Sequence, residues 1–202
     1  MELNNPTFDD EELFHLALKA MENDQTDKAI LLLKQLVDRE PEHGRAHYLL
    51  GALHAEIGMY SRAIEDMRYA VELEPDLPTA HFQLGLLYAT SGLADEAERT
   101  WEALDKLGES NPLFIFKRGL IHLIHDEFEQ SIEDLKKGIQ LNQANPALNK
   151  DAQRIIEMIS HLPDMESNAN ATSMQENTQN KGGRHILLNA YQNNDYDKDI
   201  EH

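Results

Sequence analysis

The sequence predicts an all-α fold made of helical hairpins, and three observations carry that prediction. Phe14, Tyr48, Phe82 and Phe116 lie 34 positions apart, a period that belongs to a repeated supersecondary unit and to no single helix or strand. Small residues recur in the same register: Ala17, Gly51, Gly85 and Gly119 early in each unit, and Ala29, Ala63, Ala97 and Ser131 later. Within units, apolar residues return at three- and four-residue steps, as in Leu84, Leu87 and Tyr88, or Ile132, Leu135 and Ile139, the spacing of one helix face.

The 34-residue register divides the chain into blocks 10–43, 44–77, 78–111 and 112–145, after a lead-in of residues 1–9. Each block reads as helix, turn, helix. Small residues in both helices allow close approach, and Leu33, Met67, Trp101 and Leu135 supply bulk between neighbours. The turns fall at Asn23-Asp24, Gly58, Gly92 and Asp126-Glu127; Gly58 and Gly92 suit the left-handed conformation of a helix end. Pro41 and Pro75 close the second helices of the first two blocks, because proline cannot continue a helix. Pro112 and Pro146 instead open helices, where proline fits the first turn. The fourth block departs most, with Arg118 in place of a leucine and Gly138 where alanine is usual.

Residues 146–161 predict a closing helix. Leu148, Ala152, Ile155, Ile159 and Leu162 form one apolar stripe, with Asn149, Lys150, Asp151, Arg154 and Glu157 facing away. A terminal unit with a polar face ends a stack. Residues 162–183, rich in Asn, Ser, Thr, Gln and Glu, read as a disordered linker. The tail, 184–202, carries a short apolar motif of Ile186, Leu187, Leu188 and Tyr191. So short a helix is marginal alone in water. Either the motif is frayed and inert, or it docks on a surface in cis or in trans.

These residues resemble the tetratricopeptide repeat (TPR): Leu-Gly and an aromatic in the first helix, Ala in the second, Pro at the end. Blocks two and three match most fully, and four blocks cover residues 10–145. The resemblance implies a right-handed superhelix whose first helices line an inner groove. Carried over residue by residue, that groove would present Phe14 and Leu18, then Tyr48 and Leu49, then Phe82 and Leu86. The fourth repeat would add Phe116, Lys117, Leu120, Leu123 and Ile124. An aromatic at this place also commonly packs against the neighbouring helix, which explains a ring at each step and explains the extra leucines less well. A contiguous apolar patch on a monomer marks an interaction site. The expected function is therefore a non-catalytic adaptor taking an apolar or helical peptide segment. Alternatives are a secretion-type chaperone shielding an apolar export substrate and a scaffold binding a second copy of itself. The carboxylate clamp of chaperone-associated members is not expected: its places hold Phe14, Leu18, Leu49, Thr79 and Gln83, or Tyr48, Ala52, Gln83, Leu113 and Lys117, too few donors to grip a carboxylate.

Composition narrows the class further. The net charge of −19 disfavours nucleic acid and anionic membranes. No cysteine is present, which excludes disulfides, thiolate metal sites and thiol nucleophiles, and fits a reducing, cytoplasmic setting. The N-terminus lacks a basic, apolar leader, and no apolar run is long enough to span a bilayer. His122 and His125 have a ligand-like spacing, yet no HExxH motif or cysteine accompanies them, and Gly182-Gly183 follows no strand, so it is no phosphate loop. No metal, no cofactor and no enzymatic activity is expected.

Overall fold

The computed structural model describes residues 8–162 and 182–192. The expected linker falls largely, and the last ten residues wholly, outside them. Among the described residues every regular element is helical. The helices are α1 (Asp10–Glu22), α2 (Thr26–Arg39), α3 (Gly44–Glu56), α4 (Tyr60–Leu73), α5 (Pro78–Thr90), α6 (Ala94–Trp101), a 3-10 helix (Glu102–Leu107), α7 (Pro112–Ile124), α8 (Phe128–Leu141), α9 (Pro146–Ser160) and α10 (Gly183–Gln192).

Local chemistry sets the ends. Asp9 accepts the Glu12 amide at 2.8 Å while the Glu12 carboxylate accepts the Asp9 amide at 3.0 Å, a reciprocal cap on α1. Asn111 and Asn145 cap α7 and α9, each followed by its proline. Gly58 and Gly92 have φ of 75° and 80°, and Asp24 and Asp126 take the same left-handed region at 54° and 62°. The chain falls into two compact units with the boundary inside α5, one up to Leu87 and one from Tyr88.

In the first unit, α1 pairs with α2, and α3 with both α2 and α4. Leu13, Ala17 and Ala20 of α1, Leu33 and Leu36 of α2, and Ala46 and Leu50 of α3 share one buried core. A β-carbon on Gly51 would lie 2.7 Å from Met67 Cγ, so the small residue is needed for α3 to seat on α4. Two histidines tie repeats together in a way the apolar periodicity does not announce. The ring Nε2 of His47 is 3.0 Å from the Pro41 carbonyl oxygen, and that of His81 is 3.0 Å from the Pro75 carbonyl oxygen. Each meets a carbonyl of the loop that follows the preceding repeat's second helix. Where the proline is missing, at Glu109, the corresponding residue of the next helix is Ile115.

In the second unit, α7 packs on α8, α8 on α9, and α10 on both α7 and α9. The third block's second helix does not run its full length: α6 passes into the 3-10 helix at Glu102, which ends at Gly108 with φ 70°. Trp101, Leu104, Ile115 and Leu135 are buried. The two oddities of the fourth block have physical reasons. Arg118 grips Asp134 of α8 with two bonds, Nε to Oδ2 at 2.7 Å and Nη2 to Oδ1 at 2.6 Å; Asp134 is 6 % exposed and needs such a partner. On Gly138 a β-carbon would stand 2.7 Å from the Phe116 ring, so glycine is what lets that ring in.

Candidate functional site

The candidate site is the set of first-helix side chains that the resemblance assigns to an inner groove. In the first unit these are Phe14 and Leu18 on α1 and Tyr48 and Leu49 on α3, all part-buried. The Phe14 ring lies 4.9 Å from that of His43, which caps α3. Phe14 and Leu49 also pack on the core of the first unit, and all four keep part of their surface in water.

Phe82 and Phe116 do not. Each is 1 % exposed, so the expectation of four open rings is corrected for these two. The Phe116 ring fills the space above Gly138 and is core. Leu86 is buried as well. Lys117 is also buried; it turns away to pair with Asp105 of the 3-10 helix and sits 5.2 Å above the Phe114 ring. An ammonium so committed offers nothing to a guest.

Leu120, Leu123 and Ile124 are buried too, so they are corrected as open groove residues; Leu123 lies against the start of the chain's own last described helix. Helix α10 packs against α7 and α9, burying Ile186, Leu187 and Ala190. Leu188 and Tyr191 are part-buried. The tail motif therefore meets the fourth repeat in cis, and Ala190 joins it. Both ends of α10 are held. Asp126 Oδ1 accepts the Gly183 amide at 2.5 Å, meeting one of the free donors of a helix start. At the other end Arg154 Nη1 donates to the Ala190 carbonyl oxygen at 3.0 Å. A β-carbon on Gly182 would overlap the Asp126 carboxylate, and one on Gly183 would overlap the Leu123 carbonyl oxygen. The glycine pair that is no phosphate loop thus lets α10 start directly on the end of α7. Asp151 and Arg154, expected to face away, lie instead beside α10: burial raises the Asp151 carboxyl above its ordinary range, and burial with the Asp151 charge raises the Tyr191 phenol.

Repeats two and four share a His–Asp pair at equivalent places. His54 Nδ1 is 2.6 Å from Asp66 Oδ2, and His47 Nδ1 is 3.7 Å from Asp66 Oδ1. The nearby Asp66 carboxylate holds the His47 imidazole above its usual range. In the fourth repeat His122 Nε2 lies 3.5 Å from Asp134 Oδ2, with Nδ1 on Glu127, while His125 reaches Glu98 at 3.0 Å. His122 and His125 therefore face different carboxylates. Among the described residues no group of three or more potential ligands is placed to hold a metal, and no helix is long and apolar enough to cross a membrane.

The tetratricopeptide-repeat family model matches residues 14–78 and 57–112. No curated protein matches the sequence. Among solved structures, the chain is similar to MamA 41-end from Desulfovibrio magneticus RS-1, at 16% identity and TM-score 0.58, over 75% of this chain and 83% of that one. A MamA RS-1 double mutant aligns over 96% of this chain and 99% of that one, at 15% identity and TM-score 0.59. TTC0263, a thermophilic TPR protein of Thermus thermophilus, aligns at 21% identity and TM-score 0.56, over 74% of this chain and 81% of that one. At such identities the likeness is one of fold, and it agrees with the hairpins and the family match: the chain is a tetratricopeptide-repeat protein.

Proposed function

We propose that this chain is a non-catalytic protein-binding module whose first helices receive an apolar, helical segment of a partner. The observation that carries the reading is internal to the molecule: α7, the first helix of the fourth repeat, already holds a helix of that kind, its own α10. On the first helices of the first two repeats, Phe14, Leu18, Tyr48 and Leu49 are part-buried and uncovered by any such segment among the described residues. Glu11, Glu22 and Glu56 stand on the same two helices, exposed, which favours a neutral or basic partner. Burying a few hundred Å² of apolar surface supplies several kcal/mol at roughly 25 cal/mol per Å², before association costs. The cysteine-free, acidic sequence suits a cytoplasmic setting.

The test compares the full chain with a Phe14→Ala, Tyr48→Ala double variant, both purified from the source cell. A stoichiometric partner retained by the first and lost by the second, with unchanged helicity, is the expected result. Equal recovery by both counts against the reading. Binding of the purified partner by a single helical peptide from it separates an adaptor from a chaperone, whose substrate would aggregate when alone.

A further inference from the structure

We infer that the face formed by α7 and α9 is a helix-binding site closed by its own ligand: residues 182–192 are the resident occupant and keep other helices out unless they open on two glycines. This deepens the reading above by naming the occupant of one inner face, and rests on it only in that respect.

The seat is built rather than incidental. Two side chains from the seat, Asp126 and Arg154, grip the first amide and the penultimate turn of α10. Gly183 is obligatory, because any side chain there meets backbone, which cannot move aside as a side-chain tip can, whereas at Gly182 the neighbour is the Asp126 carboxylate. One face of the ligand, Ile186, Leu187 and Ala190, is buried, while Arg184 and His185 remain exposed. No acidic residue lies between 182 and 192, in a chain of net charge −19, so occupant and host are complementary in charge. Removed, α10 would uncover the part of the α7 and α9 face it packs against, Leu123 included, together with its own Ile186, Leu187 and Ala190, apolar surface of the sort that recruits a partner. A ten-residue helix is marginal alone, so α10 is helical because it is docked, and its release is a local opening that leaves the hairpins intact. Tethering places the resident ligand at an effective concentration on the order of millimolar, which a partner helix must overcome. Such a helix would carry Gly-Gly at its start, apolar residues at the places of Ile186 and Leu187, a small residue at that of Ala190, and no carboxylate on its first turn.

The probe is a fluorescent peptide of residues 182–192, titrated into the full chain and into a full-chain Leu187→Asp variant that undocks α10. The variant is expected to bind the peptide at least about tenfold more tightly than the unaltered chain. A peptide carrying Gly183→Ala is expected to lose at least about tenfold in binding the variant. Equal binding by both chains, or equal binding of both peptides, overturns the inference. Full-chain Gly183→Val gives a second open form with the apolar motif intact. It should bind the unaltered peptide as Leu187→Asp does, with a circular-dichroism melt confirming folded hairpins. A concentration-dependent dimer of the unaltered chain that dissociates on adding the peptide would place the occupant in trans and overturn the assignment in cis. Phe14→Ala with Tyr48→Ala should leave this exchange unchanged, so failure here and failure of the partner-binding reading are read separately.

Discussion

The inner faces of α1 and α7 are written in one register and end in different states. On α1, Phe14 leans on His43 and keeps part of its ring in water. On α7, Phe116 drops fully inward. The residue that stands in Gly138's register in the first repeat is Leu36, itself buried in the core, whereas Gly138 leaves room for the Phe116 ring. The leucines that follow also differ. Leu18 is part-buried, whereas Leu120 and Leu123 lie buried on the helix that α10 packs against. The lesson is that one aromatic register position can be part-buried in one repeat and core in another, and that a segment far away in sequence can pack onto a first helix.

The sharpest way to break that comparison is to truncate the two rings. Phe116→Ala should cost about 3–5 kcal/mol, against about 2 kcal/mol for part-buried Phe14→Ala, read by chemical denaturation; similar losses would mean the rings are not in different environments. Leu187→Ala should cost about 2–3 kcal/mol, confined to α10 and seen as faster amide exchange there, with the first unit unaffected. Leu188→Ala, at a part-buried place, should do much less. Arg118→Leu restores the residue of the other repeats, yet it should destabilise by about 2 kcal/mol, between the values for surface and buried pairs, because Asp134 keeps only His122 nearby. Adding Asp134→Leu should recover most of the loss. The smallest effect is the pH dependence of the second repeat. Asp66 raises the His47 imidazole, so folding favours its protonated form. That contribution is complete below the ordinary histidine value and is lost as pH rises through the raised one. Stability measured across this range should fall with pH, and Asp66→Asn should flatten the slope.

Much of the fold was legible because a fixed period needs only self-comparison. The ladder from Phe14 to Phe116, the small residues opposite it, and Gly58 and Gly92 at the turns define hairpins without any partner information. The site was less so. Whether Phe82 or Phe116 stays exposed depends on packing across helices, although Gly138, already visible as an exception, was the signal for Phe116. Arg118 and Asp134 sit 16 residues apart and make sense only once α7 lies on α8. Likewise Asp151 and Arg154 read as solvent-facing because nothing on α9 announces that α10 lies beside them. The pairing of a histidine with the preceding repeat's proline, His47 with Pro41 and His81 with Pro75, is the one such link the register itself could have revealed.

Helix α9 is sandwiched, with α8 on one side and α10 on another. Anyone lengthening the array by splicing extra hairpins after residue 145 would have to carry α9 and α10 along as a closing cassette. A hairpin grafted behind α9 would instead find Arg154 already engaged and the landing place taken. In that place α10 behaves as a stopper for the array.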